Sequence, residues 1–151
     1  MRALLQRVTN ASVSLVDGAG KEAPFAEIGA GLTVFVCAEP GDTEETAQYF
    51  ARKVANMRIF EDDAGKTNLS VLDVAGSAMV ISQFTLAADW KKGNRPGFSG
   101  AADPETAEHL YLKFAACLKN EGVPVETGKF RSHMRVNIVN DGPFTIWMNS
   151  D

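Results

Sequence analysis

Leu32-Thr33-Val34-Phe35-Val36-Cys37-Ala38 is a short run rich in β-branched and aromatic residues, and the apolar period changes soon after it. The run reads as a buried strand. Beyond it, Asp42 and Glu45 have the spacing of a capping box, with Asp in place of the usual Ser or Thr. Ala47, Phe50, Ala51, Val54 and Met57 then recur at helical spacing and give one apolar face. The pattern predicts a helix over 43–57. Whether single strands and helices go on alternating decides the fold.

Upstream they do not alternate. Leu4-Leu5-Gln6-Arg7-Val8 leads into Ala11-Ser12-Val13-Ser14-Leu15-Val16, which has period two, and Asp17-Gly18-Ala19-Gly20 is a turn cluster. That pattern predicts a hairpin. Downstream, Glu61 to Lys66 is a polar turn, Met79 to Leu86 reads as a strand, and Lys91 to Gly100 is a Gly/Pro loop. A second helix is marked by Asp103 as cap, Pro104 at the first helical position and Glu105 near the positive end. Ala107, Leu110, Tyr111, Phe114 and Leu118 form its inner stripe, and Gly122 and Pro124 end it. The remainder predicts strands near 124–130, 134–140 and 144–149. The order is strands, helix, strands, helix, strands. It favours an α+β fold, a largely antiparallel sheet carrying two main helices, over a doubly wound parallel one.

The chain has 151 residues, 45% hydrophobic and 23% charged, the mix of an ordinary globular protein. One domain over 1–151 is expected. No stretch approaches the length of a membrane span. The run Met1 to Arg7 is too interrupted for a signal peptide. Cys37 and Cys117 are far apart and form no C-x-x-C, so two free thiols in a reducing, cytoplasmic setting are expected. The formal net charge is −4. Any nucleic-acid site must therefore be a local basic patch.

The familiar chemical signatures are missing. G-x-S-x-G, G-x-G-x-x-G and the P-loop do not occur. His109 lies within the second helix, where the positions three and four away are Glu105, Thr106, Leu112 and Lys113, with no second histidine or cysteine, and reads as a surface residue. Asp62-Asp63 could hold a hard cation but reads more simply as a solvated turn. Three stretches invite a second reading. In Ser82-Gln83-Phe84-Thr85-Leu86, strand alternation puts Ser82, Phe84 and Leu86 on one face and Gln83 and Thr85 on the other. Asn140-Asp141-Gly142-Pro143-Phe144-Thr145 reads locally as a turn between two strands. From Lys129 to Ile138, one strand would set Lys129, Arg131, His133 and Arg135 on a single face. With Lys91, Lys92 and Arg95 these make either a phosphate-binding surface or an ordinary solvated one.

These stretches carry a resemblance. The chain resembles the D-aminoacyl-tRNA deacylase family, also called D-tyrosyl-tRNA deacylase. The matches are Met1 to Val8, Asn56-Met57-Arg58-Ile59-Phe60-Glu61-Asp62, Asn68-Leu69-Ser70-Val71, Ser82 to Leu86, Gly122 to Gly128, and Asn140 to Thr145. They span essentially the whole chain. One departure is Arg131-Ser132-His133 before Met134, where the family has small residues. The resemblance implies a barrel-like core with two helices packed on it. It implies hydrolysis of the ester between a D-amino acid, or glycine, and the 3′-terminal adenosine of tRNA, with no cofactor and no metal. Ser82, Gln83, Thr85 and Thr145 would be catalytic. Gly142, Pro143, Phe84, Phe130, Met134, Arg7 and Asn140 would bind or shape the substrate site. A homodimer is implied, with a cis Gly142-Pro143 unit reaching into the partner's pocket and Arg7 holding that unit. Two alternatives stand beside this reading: a non-catalytic RNA-binding module, and a hydrolase of small D-amino acid esters.

Overall fold

The computed structural model describes residues 1–150. Its central element is β1 (Arg2–Val16), which is long enough to take several partners. Strand β8 (Met134–Asn149) runs antiparallel along almost all of it. On the other side, β2 (Glu22–Ile28) pairs with Ala11–Val16 and β3 (Gly31–Cys37) with Arg2–Val8, both antiparallel. The sheet then continues in parallel, β6 (Ser77–Ser82) beside β3 and β7 (Val125–Thr127) beside β6. Parallel neighbours need a long crossover. Here α1 (Glu44–Asn56) lies in the connection from β3 to β6, and α2 (Pro104–Asn120) in the one from β6 to β7. The α+β class and the predominance of antiparallel pairing agree with the sequence. The two parallel steps are additional, and they coincide with the two helices.

Period-two alternation divides the sheet's residues between two apolar layers. Leu5, Leu32, Val34, Val36 and Val80 face Phe50 and Val54 of α1 and Leu110, Phe114 and Leu118 of α2. Val8, Val13, Met79 and Ile81 face the other way and meet Met134, Val136 and Ile138 of β8. Phe35 of β3 packs into this second layer, so the strand is covered on both faces, which explains an apolar run broken only at Thr33.

The helix ends show which cap signals compete. Asp42 is not the N-cap of α1. Thr43 is: its hydroxyl accepts from the amide of Thr46, whose own hydroxyl accepts from the amide of Thr43. Asp42 is engaged elsewhere, accepting from the amino group of Met1 at 2.6 Å and the amide of Glu39 at 2.7 Å. The helix accordingly spans 44–56 rather than 43–57. Asp103 caps α2 as expected, accepting from the amides of Glu105 and Thr106, with Pro104 at the first position. The turn at 62–66 joins the short strands β4 (Phe60–Glu61) and β5 (Thr67–Leu69). Both carboxylate oxygens of Asp62 are engaged there, by the amides of Ala64 and Lys66 and the side chain of Asn68.

Candidate active site

The extended strand expected through Leu86 ends at Ser82. Its neighbour β3 supplies the last pairing partner at Val36, and the amide of Gln83 donates the final bond to the Val36 carbonyl. With no strand left to pair with, the chain turns into one 3₁₀ turn, Phe84–Ala87. The two-face assignment of 82–86 is thereby overturned. Gln83 instead donates its side-chain amide to the Thr85 hydroxyl. Phe84 projects outward and meets Phe98 edge-on at 5.1 Å. The thiol of Cys37 lies beneath this turn, 3.6 Å from the Phe84 carbonyl oxygen. Burial, with Glu39 adding to it, pushes that thiol up to about 11. Such a buried neutral thiol is a poor nucleophile.

Beside this turn lies a cleft of about 560 Å³. Ser82, Gln83 and Phe84 line one wall, Pro104 and Ala107 of α2 another, and Phe130 and Met134 a third. Five of the residues singled out from the sequence thus meet in one cavity. Phe130 is stacked on Tyr111 at 6.2 Å. The Tyr111 hydroxyl lies 3.1 Å from the carbonyl oxygens of both Val80 and Gly128 and donates toward them, bracing β6 against the segment that carries Phe130. Burial pushes Tyr111 up to about 12, so it remains a donor. Tyr111 and Phe98 are contributors that sequence reading missed. Tyr111 lay in an ordinary helix stripe, and Phe98 in a loop with no period.

The single basic strand face from Lys129 onward does not exist. Strand β8 begins only at Met134, and Arg131 sits in a turn with φ of +55°. Lys129, Arg131 and His133 nevertheless line the cleft. Arg135 points elsewhere and pairs with Glu22 at 2.6 Å.

The second motif is not a turn between two strands. Strand β8 continues through it, and Asp141 to Phe144 bulge out opposite the single residue Arg7, since Gln6 pairs with Thr145 and Val8 with Asn140. The Gly142-Pro143 bond is cis. Asp141, Gly142, Pro143 and Thr145 are exposed. Two side chains clamp the bulge from below. The nearly buried guanidinium of Arg7 donates from Nε to the Asp141 carbonyl oxygen at 2.9 Å and from Nη1 to the Ile59 carbonyl oxygen at 2.8 Å. It also lies 4.7 Å from the Phe144 ring centroid. Asn140 donates to the carbonyl oxygens of Arg7 and Phe144 and accepts from the Phe144 amide. The Thr145 hydroxyl accepts from the Gln6 side chain at 3.2 Å. Among the described residues no histidine or carboxylate is hydrogen-bonded to it.

Cleft and bulge do not come together within one chain. Thr145 is in register with Gln6, Thr33 and Met79 across β1, β3 and β6, and Ser82 lies three residues farther along β6. At about 4.8 Å per strand and about 3.3 Å per residue, the two sets are on the order of 15 Å apart.

Comparison with known proteins supplies the context. The family profile described as D-Tyr-tRNA(Tyr) deacylase matches residues 4–149. A Ruegeria pomeroyi protein named D-aminoacyl-tRNA deacylase is 56% identical over 149 residues, which is 99% of this chain and 99% of the relative. One from Thermomicrobium roseum with the same name is 55% identical over 150 residues, covering 99% of this chain and 94% of the relative. The solved structure titled c-Myc DNA Unwinding Element Binding Protein superposes with a TM-score of 0.88 at 37% identity, covering 100% of this chain and 99% of its own. A second, titled as a probable eukaryotic D-amino acid tRNA deacylase, has a TM-score of 0.80 at 18% identity, covering 97% of each, and shares the fold. An α+β barrel-like sheet with this cleft and these relatives defines an enzyme, a hydrolase of the deacylase class. The chain belongs to the D-aminoacyl-tRNA deacylase family.

Proposed function

We propose that the protein hydrolyses the ester joining a D-amino acid, or glycine, to the 3′-terminal adenosine of tRNA, as a homodimer with two composite sites. Each site would consist of one chain's cleft and the partner's Asp141–Phe144 bulge. The observation that carries this reading is the separation just described. A pocket lined by half of the motif residues and an exposed, side-chain-clamped bulge built from the other half are separate features of one chain, for none of residues 140–145 lines the pocket.

The chemistry asks little of side chains. An aminoacyl ester is already activated, and each tenfold gain in rate takes about 1.4 kcal/mol. Holding the ester and a water in attack geometry supplies several such factors. Main-chain amides just past the β6 terminus, those of Phe84 and Thr85 rather than the Gln83 amide already donated to Val36, would stabilise the developing oxyanion. The substrate's ribose 2′-hydroxyl would assist the water. Gln83, Thr85 and Thr145 then position rather than attack, in keeping with the absence of a base beside the Thr145 hydroxyl among the described residues. Phe84, Phe130 and Met134 offer apolar surface for the terminal nucleoside and side chain.

Handedness is the harder requirement. D and L esters carry the same groups, so rejection depends on exclusion more than on added attraction. Main-chain oxygens of the bulge would accept from the substrate's α-ammonium and leave no room for an L side chain. Glycine, with hydrogens alone on Cα, escapes such a filter. No cofactor enters this scheme. Two free cysteines suit a cytoplasmic setting.

The test is release of amino acid from D-Tyr-tRNA, L-Tyr-tRNA and Gly-tRNA by the purified protein. Turnover of the first and third but not the second is expected. Equal turnover of both tyrosyl enantiomers, or of neither, overturns the reading. The composite site is tested by mixing a Gly142→Ala chain with a Gln83→Ala chain. Exchange should restore about a quarter of wild-type activity, since half the dimers carry one intact site of two. No recovery places both motifs in the same subunit's site.

A further inference from the structure

The mouth of the cleft carries a structure that the reaction scheme leaves unused. Asp89 and Gly97 exchange both main-chain hydrogen bonds, at 2.8 and 2.9 Å, and close off a tip running from Trp90 to Pro96. Every residue of that tip is exposed. Trp90 is 74% exposed, more than any other large hydrophobic residue among those described. Lys91, Lys92 and Arg95 share the tip, and none of them forms an ion pair among the described residues. Gly93, between the lysines and Arg95 in the chain, has φ of +68°, a conformation that favours glycine. Just beyond the stem, Phe98 enters the cleft wall and packs on Phe84. The tip is thereby anchored at the cleft's edge, and Lys129 and Arg131 line the cleft itself.

The indole leaves a large apolar face in water, and the three cations beside it have no ion-pair partner among the described residues. On a chain of net charge −4 they are a local reversal of sign. One ligand chemistry answers both features. A single-stranded nucleic acid offers flat bases to the indole and phosphates to the cations. We propose that the tip from Trp90 to Pro96 docks the single-stranded 3′ segment of an RNA just upstream of its terminal adenosine. A base stacks on Trp90, and Lys91, Lys92 and Arg95 hold the flanking phosphates. The inference rests on the tRNA reading of the cleft, and it explains how an acidic protein holds a polyanion beside that cleft.

The test uses a Trp147→Phe protein, which keeps an aromatic ring beside Arg2 and leaves Trp90 the sole tryptophan. An acceptor-stem hairpin RNA bearing no amino acid, with a single-stranded 3′ tail, is titrated in, against the same hairpin with a blunt end. Saturable quenching of indole emission by the tailed RNA alone is expected. In the wild-type background, Trp90→Ala should weaken binding of the tailed RNA roughly 5- to 100-fold. The triple variant Lys91→Ala, Lys92→Ala and Arg95→Ala should lower the salt slope by about 2. Hydrolysis of the D-tyrosyl ester of adenosine alone should be unchanged in these variants. Absent quenching, equal quenching by the blunt RNA, or equal losses on the tRNA and adenosine esters would overturn the proposal. If tailed RNA quenches but no D-ester is cleaved, the docking surface stands and the catalytic reading fails. If D-esters are cleaved without quenching, the reverse holds.

Discussion

The Arg7 guanidinium donates to the carbonyl oxygen of Asp141 at 2.9 Å across the junction of β1 and β8. The two residues are 134 positions apart in the chain. The bond fixes one end of the bulge, and the same guanidinium anchors to Ile59 at its other side. A planar fork can serve both oxygens, whereas an ammonium is a single point of charge. Arg7→Lys should therefore lose one of the two bonds. The expected cost is about 1.5–3 kcal/mol in urea denaturation, the worth of a hydrogen bond to a charged group. Turnover of D-Tyr-tRNA should fall while the protein stays folded. Unchanged turnover would separate the clamp from the chemistry.

Gly142 occupies a position that a larger residue cannot fill. A Cβ there would run into the amide nitrogen of Phe144. The obstacle is backbone, so the bulge itself must shift. Gly142→Ala should lower D-ester turnover about 100-fold, the scale of a displacement of about 1 Å at a reacting centre. Thermal stability should change less, because Asp141, Gly142 and Pro143 are exposed and Phe144 alone of the bulge packs against an apolar layer. Wild-type turnover in this variant would remove the bulge from the site.

Thr145 distinguishes positioning from attack. Its hydroxyl is held by Gln6 and has no acid–base partner in hydrogen-bond contact among the described residues. Thr145→Ala should cost less than about tenfold in kcat, near the worth of one hydrogen bond. A fall to the uncatalysed rate would make the hydroxyl the nucleophile. Thr145→Ser should be close to wild type on either account, and so serves as the control for packing.

What the sequence makes legible follows the range of the forces involved. Both helices could be read because their apolar stripes and the Asp103–Pro104 start are local. The N-cap at Thr43 was hidden because Asp42 is drawn off by the amino group of Met1, a contact 41 residues away. The end of β6 at Ser82 was hidden because its length is set by β3, not by its own period. Likewise, Asn140 to Thr145 contains strong turn dipeptides, yet pairing with β1 and the Arg7 clamp keep β8 in register on both sides of the bulge. For the site, residue types at the two motifs were visible through family resemblance. Their division between cleft and bulge depends on sheet register, which no short window contains.

The ion cluster joining the helices sets an acid limit on stability. Glu44, in the first turn of α1, accepts from Lys113 at 2.6 Å and from His109 at 2.8 Å, both on α2. The hydrogen bond from Lys113, with that from His109 next, holds the Glu44 carboxyl below its usual range. A carboxyl depressed in the folded state binds fewer protons there than in the unfolded chain, so stability rises with pH across that window. The contribution is complete above the ordinary carboxyl value, about 4.3, and is lost as pH falls through the lower folded value. Lys113 mirrors this, raised first by its bond to Glu44, so its share is lost only as pH climbs through that raised value. Urea midpoints of wild type and Glu44→Gln should therefore differ above about pH 5 and converge in acid. The gap should also shrink in high salt, since the cluster is exposed. A gap that persists unchanged to the most acidic conditions would show that Glu44 acts by packing rather than by charge.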